Sequence, residues 1–599
     1  MEEWNQTTFP TIDERDFQMR SLRINHRQAR KIRTGIGMLA CVWLGSFLAG
    51  RTGPLPAYGQ DSVPAETRRV SPVAQRTAHR QTASNPTRRT SHSGRVRNVI
   101  LMIGDGMGPQ QLGLLEMYAH RAPNSVVPDR TPAIEQLMGH GVVGLMRTEP
   151  HGVLVTDSAA SATQLATGQP AGSEMLGTNY RGDAVPNLVE VARQQGKSAG
   201  LITDARITHA TPAAFAAHQR HRTMENEVAL DYLAHQVDVL LGGGLRNWVP
   251  KATSDPTSAT AMGIRQLTGN RFAVSSQRRD NRNLLLEARA DYHLVFDRQA
   301  LARVEGGRVL GLFADSAMHD ALTEKNELDS EQRTEPTLVE MAAKTLELLS
   351  QNPNGFFLMI EGAQIDWAGH NNDVGNLLQE LLQFDDVVRY VAHWSRQRND
   401  TLLVVTADHE TGSFGFSYSG SPLPRPQPLS GDVFQGEDFQ PYFNFAPLAV
   451  LDKIYSQKKS YYQIFKQFDA LPPEARTAEQ LVRLVNESLS FEISLDDAVA
   501  ILTRSRNRQY VPGHRFLGTR TLPRIRDFPE FYVYGENLRM NLLGRAVSAQ
   551  QNVVWGSGTH TSTPVVLVAE GPSDATSRFS GMHHSTEIGQ RLIGLLKGK

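Results

Sequence analysis

The sequence predicts an α/β domain built on a large, mostly parallel sheet, and two patterns carry that expectation. Continuous apolar runs recur along the chain, at Val99–Ile103, Ala199–Thr203, Val237–Leu241, His293–Phe296, Val309–Phe313, Phe356–Ile360, Thr401–Thr406 and Pro564–Ala569. Runs of that length without polar alternation mark strands buried on both faces, as parallel strands are. Helical patterns lie between them. Thr337–Leu349 carries an apolar stripe, and Val374–Arg396 places Leu377, Leu378, Leu381, Leu382 and Val388 at helical spacing. Strands alternating with helices give a parallel sheet, and such sheets bind ligands off the carboxyl ends of their strands. Asp105, Asp157, Asp204, Glu361 and Asp408 each lie just after a predicted strand, so the polar residues gather where an active site would sit.

The flanking segments read differently. Arg20, Arg23, Arg27, Arg30, Lys31 and Arg33 precede an uncharged apolar run over 35–50, the pattern of a signal peptide or an N-terminal membrane anchor over 1–60. The expected location is therefore exported, periplasmic or extracellular, with 35–50 as the anchor if it is retained. Residues 61–97 are rich in Ser, Thr, Pro and Arg with few large apolar residues, and read as a disordered basic linker. The catalytic domain is expected over 98–599. Within it, 415–550 breaks the strand–helix rhythm: 419–446 is rich in Pro and Gly, 448–510 is largely amphipathic helix, and 511–550 is irregular and Arg-rich. This reads as a largely helical surface insertion between the last two elements of the sheet, a packing cap without chemistry.

Composition narrows the chemistry. The chain has 599 residues, 62 basic and 62 acidic, so its zero net charge gives no support to a nucleic-acid partner. Cys41 is its single cysteine, so any zinc site must be built from histidine and carboxylate. Ser158 follows Asp157 and opens a run of small helix formers, at a helix N-terminus that favours anions. Taken singly, the polar elements are ordinary. Gly104–Gly108 is a Gly-rich turn, Asp366 and His370 an i,i+4 pair, Asp408-His409 a dipeptide, His560 a polar loop residue, and Asp157-Ser158 a helix cap. Their concentration near strand ends is not.

The stretches NVILMIGDGMG (98–108), VTDSAASATQLATG (155–168), HATPAAFAAHQRHR (209–222), IEGAQIDWAGH (360–370), TADHETG (406–412) and GSGTHTSTPV (556–565) together resemble the alkaline phosphatase family. The resemblance covers about 98–415 and 550–599. It implies a three-layer α/β sandwich around a ten-stranded sheet and hydrolysis of small phosphate monoesters through a phosphoserine at Ser158. Carried over by position, Asp105, Asp408 and His409 would hold one zinc, and Asp366, His370 and His560 the second. Glu361 and Thr211 would join Asp105 around a magnesium. Arg222 would clamp phosphate beside Asp157, with Arg220 its neighbour in sequence. His209 stands where many bacterial members have an acid near the magnesium, and Trp367 where they have a lysine facing phosphate. A homodimer is also expected, as is common in the family. Two other readings stand beside it: a phosphodiesterase or other hydrolase of the same superfamily, and a non-catalytic exported binding protein.

Overall fold

The computed structural model describes residues 95–273 and 275–598. The export segment expected over 1–60 and nearly all of the linker expected over 61–97 lie outside the described residues. Among the described residues, no helix is long and apolar enough to cross a membrane.

Ten strands form the central sheet: β1 (Asn98–Gly104), β2 (Val142–Arg147), β3 (Ser198–Arg206), β4 (Val239–Gly243), β5 (Tyr292–Val295), β6 (Arg308–Leu312), β7 (Phe356–Gly362), β8 (Thr401–Thr406), β9 (Val565–Glu570) and β10 (Gly581–His584). Their spatial order is β10-β2-β9-β8-β1-β7-β3-β4-β6-β5. β9 runs antiparallel to both neighbours, and every other pair is parallel. All eight apolar runs became strands of this sheet. β1, β7 and β8 at its centre are buried at every position, because helices cover both faces. β2 and β10 were not announced by an apolar run. Gly144 splits the first, which alternates buried and exposed, and the second reads Gly-Met-His-His.

Register decides where the chemistry collects. Ile103 of β1 pairs with Glu361 of β7 and Thr406 of β8, and Glu361 pairs with Thr203 of β3. The carboxyl ends of four adjacent strands therefore finish level, which brings Asp105, Glu361 and Asp408 to one edge.

The insertion corrects three expectations. It shares the main hydrophobic core: Ile454, Ile464, Leu481, Ile501 and Leu543 are buried in the same cluster as the sheet. Its second half is not irregular throughout, since Leu538–Gln551 is a helix. And it does not separate the last two sheet elements, because β9, β10 and the helix Ser585–Leu596 all follow it. It is fastened at Asp373, whose carboxylate accepts from the Tyr461 N–H at 2.7 Å and Gln457 Nε2 at 2.8 Å. Ser460 Oγ donates to Asp320 Oδ2 at 2.6 Å beside it.

Candidate active site

Ser158 is the first residue of the helix Ser158–Thr167, and every residue of that helix is buried. The small side chains of Ser-Ala-Ala-Ser-Ala permit this depth. Asp157 caps the helix: its Oδ1 accepts from the Ala159 N–H at 2.9 Å, and its Oδ2 from the Glu174 N–H at 2.7 Å. Such a cap contributes about 1 kcal/mol. Ser161 Oγ donates to the Asp408 carbonyl at 2.7 Å, tying the helix to the loop after β8. Ser158 Oγ ends 3.2 Å from His409 Nε2.

Three groups of possible metal ligands adjoin His409, the partner of this hydroxyl: its ring stacks on His560 and its Nε2 lies 3.3 Å from Asp105 Oδ1. Asp105, Asp408 and His409 form one, Asp366, His370 and His560 the second, and Asp105, His209 and Glu361 the third. The loop Gly104–Gly108 makes the first two compatible. Gly106 adopts φ 72°, and a Cβ there would come within 2.8 Å of the Asp366 Cα and the Thr411 hydroxyl. Only glycine fits this left-handed turn. The Gly106 N–H donates to Asp408 Oδ1 at 3.1 Å, leaving Asp408 Oδ2 facing inward.

The hydrogen bonding indicates that cations belong here. Both oxygens of Asp105, Asp408 Oδ2, Glu361 Oε1, His209 Nδ1 and Thr211 Oγ1 are buried without a hydrogen-bond partner. Buried polar groups in native proteins are almost always paired, so a cluster of orphaned polar atoms, most of them carboxylate oxygens, marks a ligand set. The histidines agree. His370 Nδ1 donates to the Gly558 carbonyl and His560 Nδ1 to the Thr156 carbonyl, both at 2.8 Å. Each ring then turns its Nε2 lone pair inward, 3.0 Å from the other. Asp366 Oδ2 lies 3.2 Å from His370 Nε2. Thr411 Oγ1 donates to Asp366 Oδ1 at 2.5 Å and lies 3.2 Å from His409 Nδ1, which directs that ring's Nε2 toward Ser158 in the same way. Backbone or hydroxyl partners that fix the ring tautomer are characteristic of ligating histidines.

Electrostatics point the same way. Burial, then the neighbouring carboxylates, push Asp105 well above the usual range. Burial and Asp366 raise Asp408 to about 8, and burial raises Glu361 to about 8. Burial holds His560 down at about 4 and His409 well below its ordinary value. Asp366 is the exception among the acids: in spite of burial, His370, His560 and His409 hold it well below its usual range, and it in turn lifts His370 above its ordinary value. The other imidazoles are neutral and the other acids repel one another, a set that divalent cations stabilise.

Arg222 links Asp157 to His209. Its guanidinium lies 3.4 Å from Asp157 Oδ1 and 3.3 Å from His209 Nε2. Arg220 is exposed and lines a separate cleft with Arg279. The Trp367 ring meets His209 edge-on, with ring centres 5.8 Å apart.

Two contributors lie in the insertion and carried no sequence motif. The Tyr534 ring packs edge-on against His370, centres 4.6 Å apart. Asn541 Nδ2 donates to the His370 carbonyl at 2.7 Å and to Asn372 Oδ1 at 2.8 Å. Nothing local in Phe531–Asn541 announces them; only the tertiary fold brings them to His370.

The alkaline phosphatase family model matches residues 96–481. Alkaline phosphatase 4 of Bacillus subtilis is 34% identical over 56% of this chain and 66% of its own length. Repressible alkaline phosphatase of Saccharomyces cerevisiae is 32% identical over 54% of this chain and 56% of its own. The chain thus spans just under two thirds of the first relative and little more than half of the second. The solved alkaline phosphatase of Thermus thermophilus shares the fold with a TM-score of 0.64 at 24% identity, covering 87% of this chain and 95% of that one. Family model, relatives and fold agree with the geometry at the sheet edge, and the chain belongs to the alkaline phosphatase family.

Proposed function

We propose that the protein is an alkaline phosphatase that hydrolyses small phosphate monoesters through a phosphoserine at Ser158. The observation that carries this reading is the position of the Ser158 hydroxyl, at a buried helix N-terminus and 3.2 Å from His409 Nε2, among three groups of possible metal ligands. Two zinc ions, one at Asp105, Asp408 and His409 and one at Asp366, His370 and His560, with a magnesium ion at Asp105, Glu361 and Thr211 near His209, would supply the positive charge that ionises the serine and stabilises the departing oxygen.

The rest falls to the chain's own groups. Asp157 takes the Ala159 and Ala160 N–H groups of the first turn, so the non-bridging phosphate oxygens fall to the Arg222 guanidinium, which Asp157 also orients. A guanidinium binds two such oxygens in parallel, which lysine cannot do. Ser158 Oγ forms a bond to phosphorus as the alcohol leaves. Water then cleaves the phosphoserine, returning the hydroxyl and releasing inorganic phosphate. Trp367 flanks the site through His209 and adds no positive charge to hold the product. We further read the chain as exported, with the basic and apolar pattern before residue 50 as support, and as a homodimer.

The test is hydrolysis of p-nitrophenyl phosphate across pH, with and without chelator, beside Ser158→Ala. We expect an alkaline optimum, loss on chelation with recovery on adding zinc and magnesium, and a fall on the order of 10⁴-fold or more in the variant, the scale for removing a nucleophile. Full activity in Ser158→Ala would refute the proposal.

A further inference from the structure

A fourth ligand-like cluster lies apart from Ser158. Glu190 sits in the helix Leu188–Gln194, His218 on the segment that leads to Arg222, and His235 at the end of the helix Glu225–Ala234. Their ligating atoms lie within 4.8 Å of one another. His218 Nε2 is 3.1 Å from Glu190 Oε2, and His235 Nε2 is 3.7 Å from Glu190 Oε1. The two imidazole rings stand nearly perpendicular, at 79°.

Proton bookkeeping shows what the cluster lacks. His218 Nδ1 donates to the Gly177 carbonyl and His235 Nδ1 to the Ala216 carbonyl, both at 2.7 Å. A carbonyl only accepts, so in each neutral ring the proton resides on Nδ1 and Nε2 offers a lone pair. Two lone pairs then face a carboxylate, which also only accepts. Asp231, whose Oδ2 accepts from the His218 N–H at 3.0 Å, adds a second negative charge nearby. Either an extra proton on each ring or one divalent cation meets this need, and a single cation serves all three groups at once. The carbonyl partners fix the tautomers as they do at His370 and His560.

We infer that Glu190, His218 and His235 form a separate cation site for a divalent ion of the zinc class. Two imidazole nitrogens with one carboxylate suit zinc or its transition-metal neighbours, whereas magnesium and calcium favour oxygen. Tetrahedral coordination with bonds of about 2.0–2.1 Å sets neighbouring ligand atoms roughly 3.4 Å apart. The observed 3.1 and 3.7 Å bracket that spacing. The three residues are part-exposed, which leaves a route for the ion and for a water as fourth ligand. The site would fasten three segments together, one of them only four residues before Arg222, and so brace the loop that carries the guanidinium.

The experiment is zinc content per chain. Full-length protein is loaded with zinc, dialysed and analysed, beside His235→Gln and Glu190→Gln. The wild type is expected to retain one zinc equivalent more than either variant and to lose more melting temperature on chelation. Equal zinc content in all three would overturn the inference and leave a protonated histidine–glutamate cluster. Should the variants fail to fold, anomalous diffraction at the zinc edge from wild-type crystals decides: a peak among the three side chains supports the site, and its absence refutes it. Loss of activity in Ser158→Ala bears only on the proposed reaction, and zinc retention bears only on this site.

Discussion

The sheet edge and the insertion meet at His370, yet they were built by different rules. On the edge, each polar residue follows a strand: Asp105 after β1, Glu361 at the end of β7, Asp408 after β8. Parallel register sets these strand ends level, so the backbone alone brings the acids together. In the insertion, Tyr534 and Asn541 reach the same histidine from a short helical turn and the helix that follows it, held by packing. The first kind of placement is a property of the sheet, and the second a property of one tertiary contact. Changes on the edge should therefore act on the reaction itself, and changes in the insertion on how firmly His370 is held or how firmly the insertion is docked.

Arg222→Lys is the largest test on the edge side among substitutions that retain the nucleophile. It keeps the charge and loses the planar fork. Charge-assisted hydrogen bonds contribute about 1.5–3 kcal/mol, so we expect kcat/KM to fall by roughly 10- to 150-fold. An unchanged value would show that the guanidinium does not grip the phosphate. Tyr534→Ala comes next. An aromatic pair contributes about 0.5–1.5 kcal/mol beyond its buried area, so a decrease of roughly two- to twelvefold in kcat/KM is expected, with Tyr534→Phe close to wild type. A loss as large as that of Arg222→Lys would break the division between edge and insertion.

The smallest effect is on stability against pH. Burial raises the Asp373 carboxyl from 3.8 to about 6, even though it accepts hydrogen bonds from Tyr461, Asn376 and Gln457. The folded protein then holds a proton that the unfolded chain releases, so this residue's contribution is complete below about 3.8 and declines as pH rises through about 6. In urea titrations, the lead of the wild type over Asp373→Asn should shrink between those values. A lead that grows with pH would mean that the carboxylate is the favoured form at the insertion's anchor.

How much was legible follows the same division. Apolar runs located eight of ten strands, because burial on both faces leaves a continuous signal. The half-exposed β2 and the polar β10 left none. The residues proposed for the three ligand groups could be listed because the motifs that hold them resemble those of the family; strand ends and a tight turn alone marked where polar residues collect. Gly106, for example, must be glycine, because a Cβ there would meet the Asp366 Cα at 2.8 Å. Tyr534, Asn541 and the Glu190–His218–His235 cluster could not be. Their partners lie far apart in sequence, and no local period records such a contact.

In the proposed reaction Ser158 takes the phosphoryl group. The direct measurement is an acid quench of the working enzyme with labelled substrate, followed by peptide mass analysis. Phosphate on the peptide that contains Ser158, absent in Ser158→Ala, is the predicted result. Turnover with no label, or with label on another residue, would contradict it.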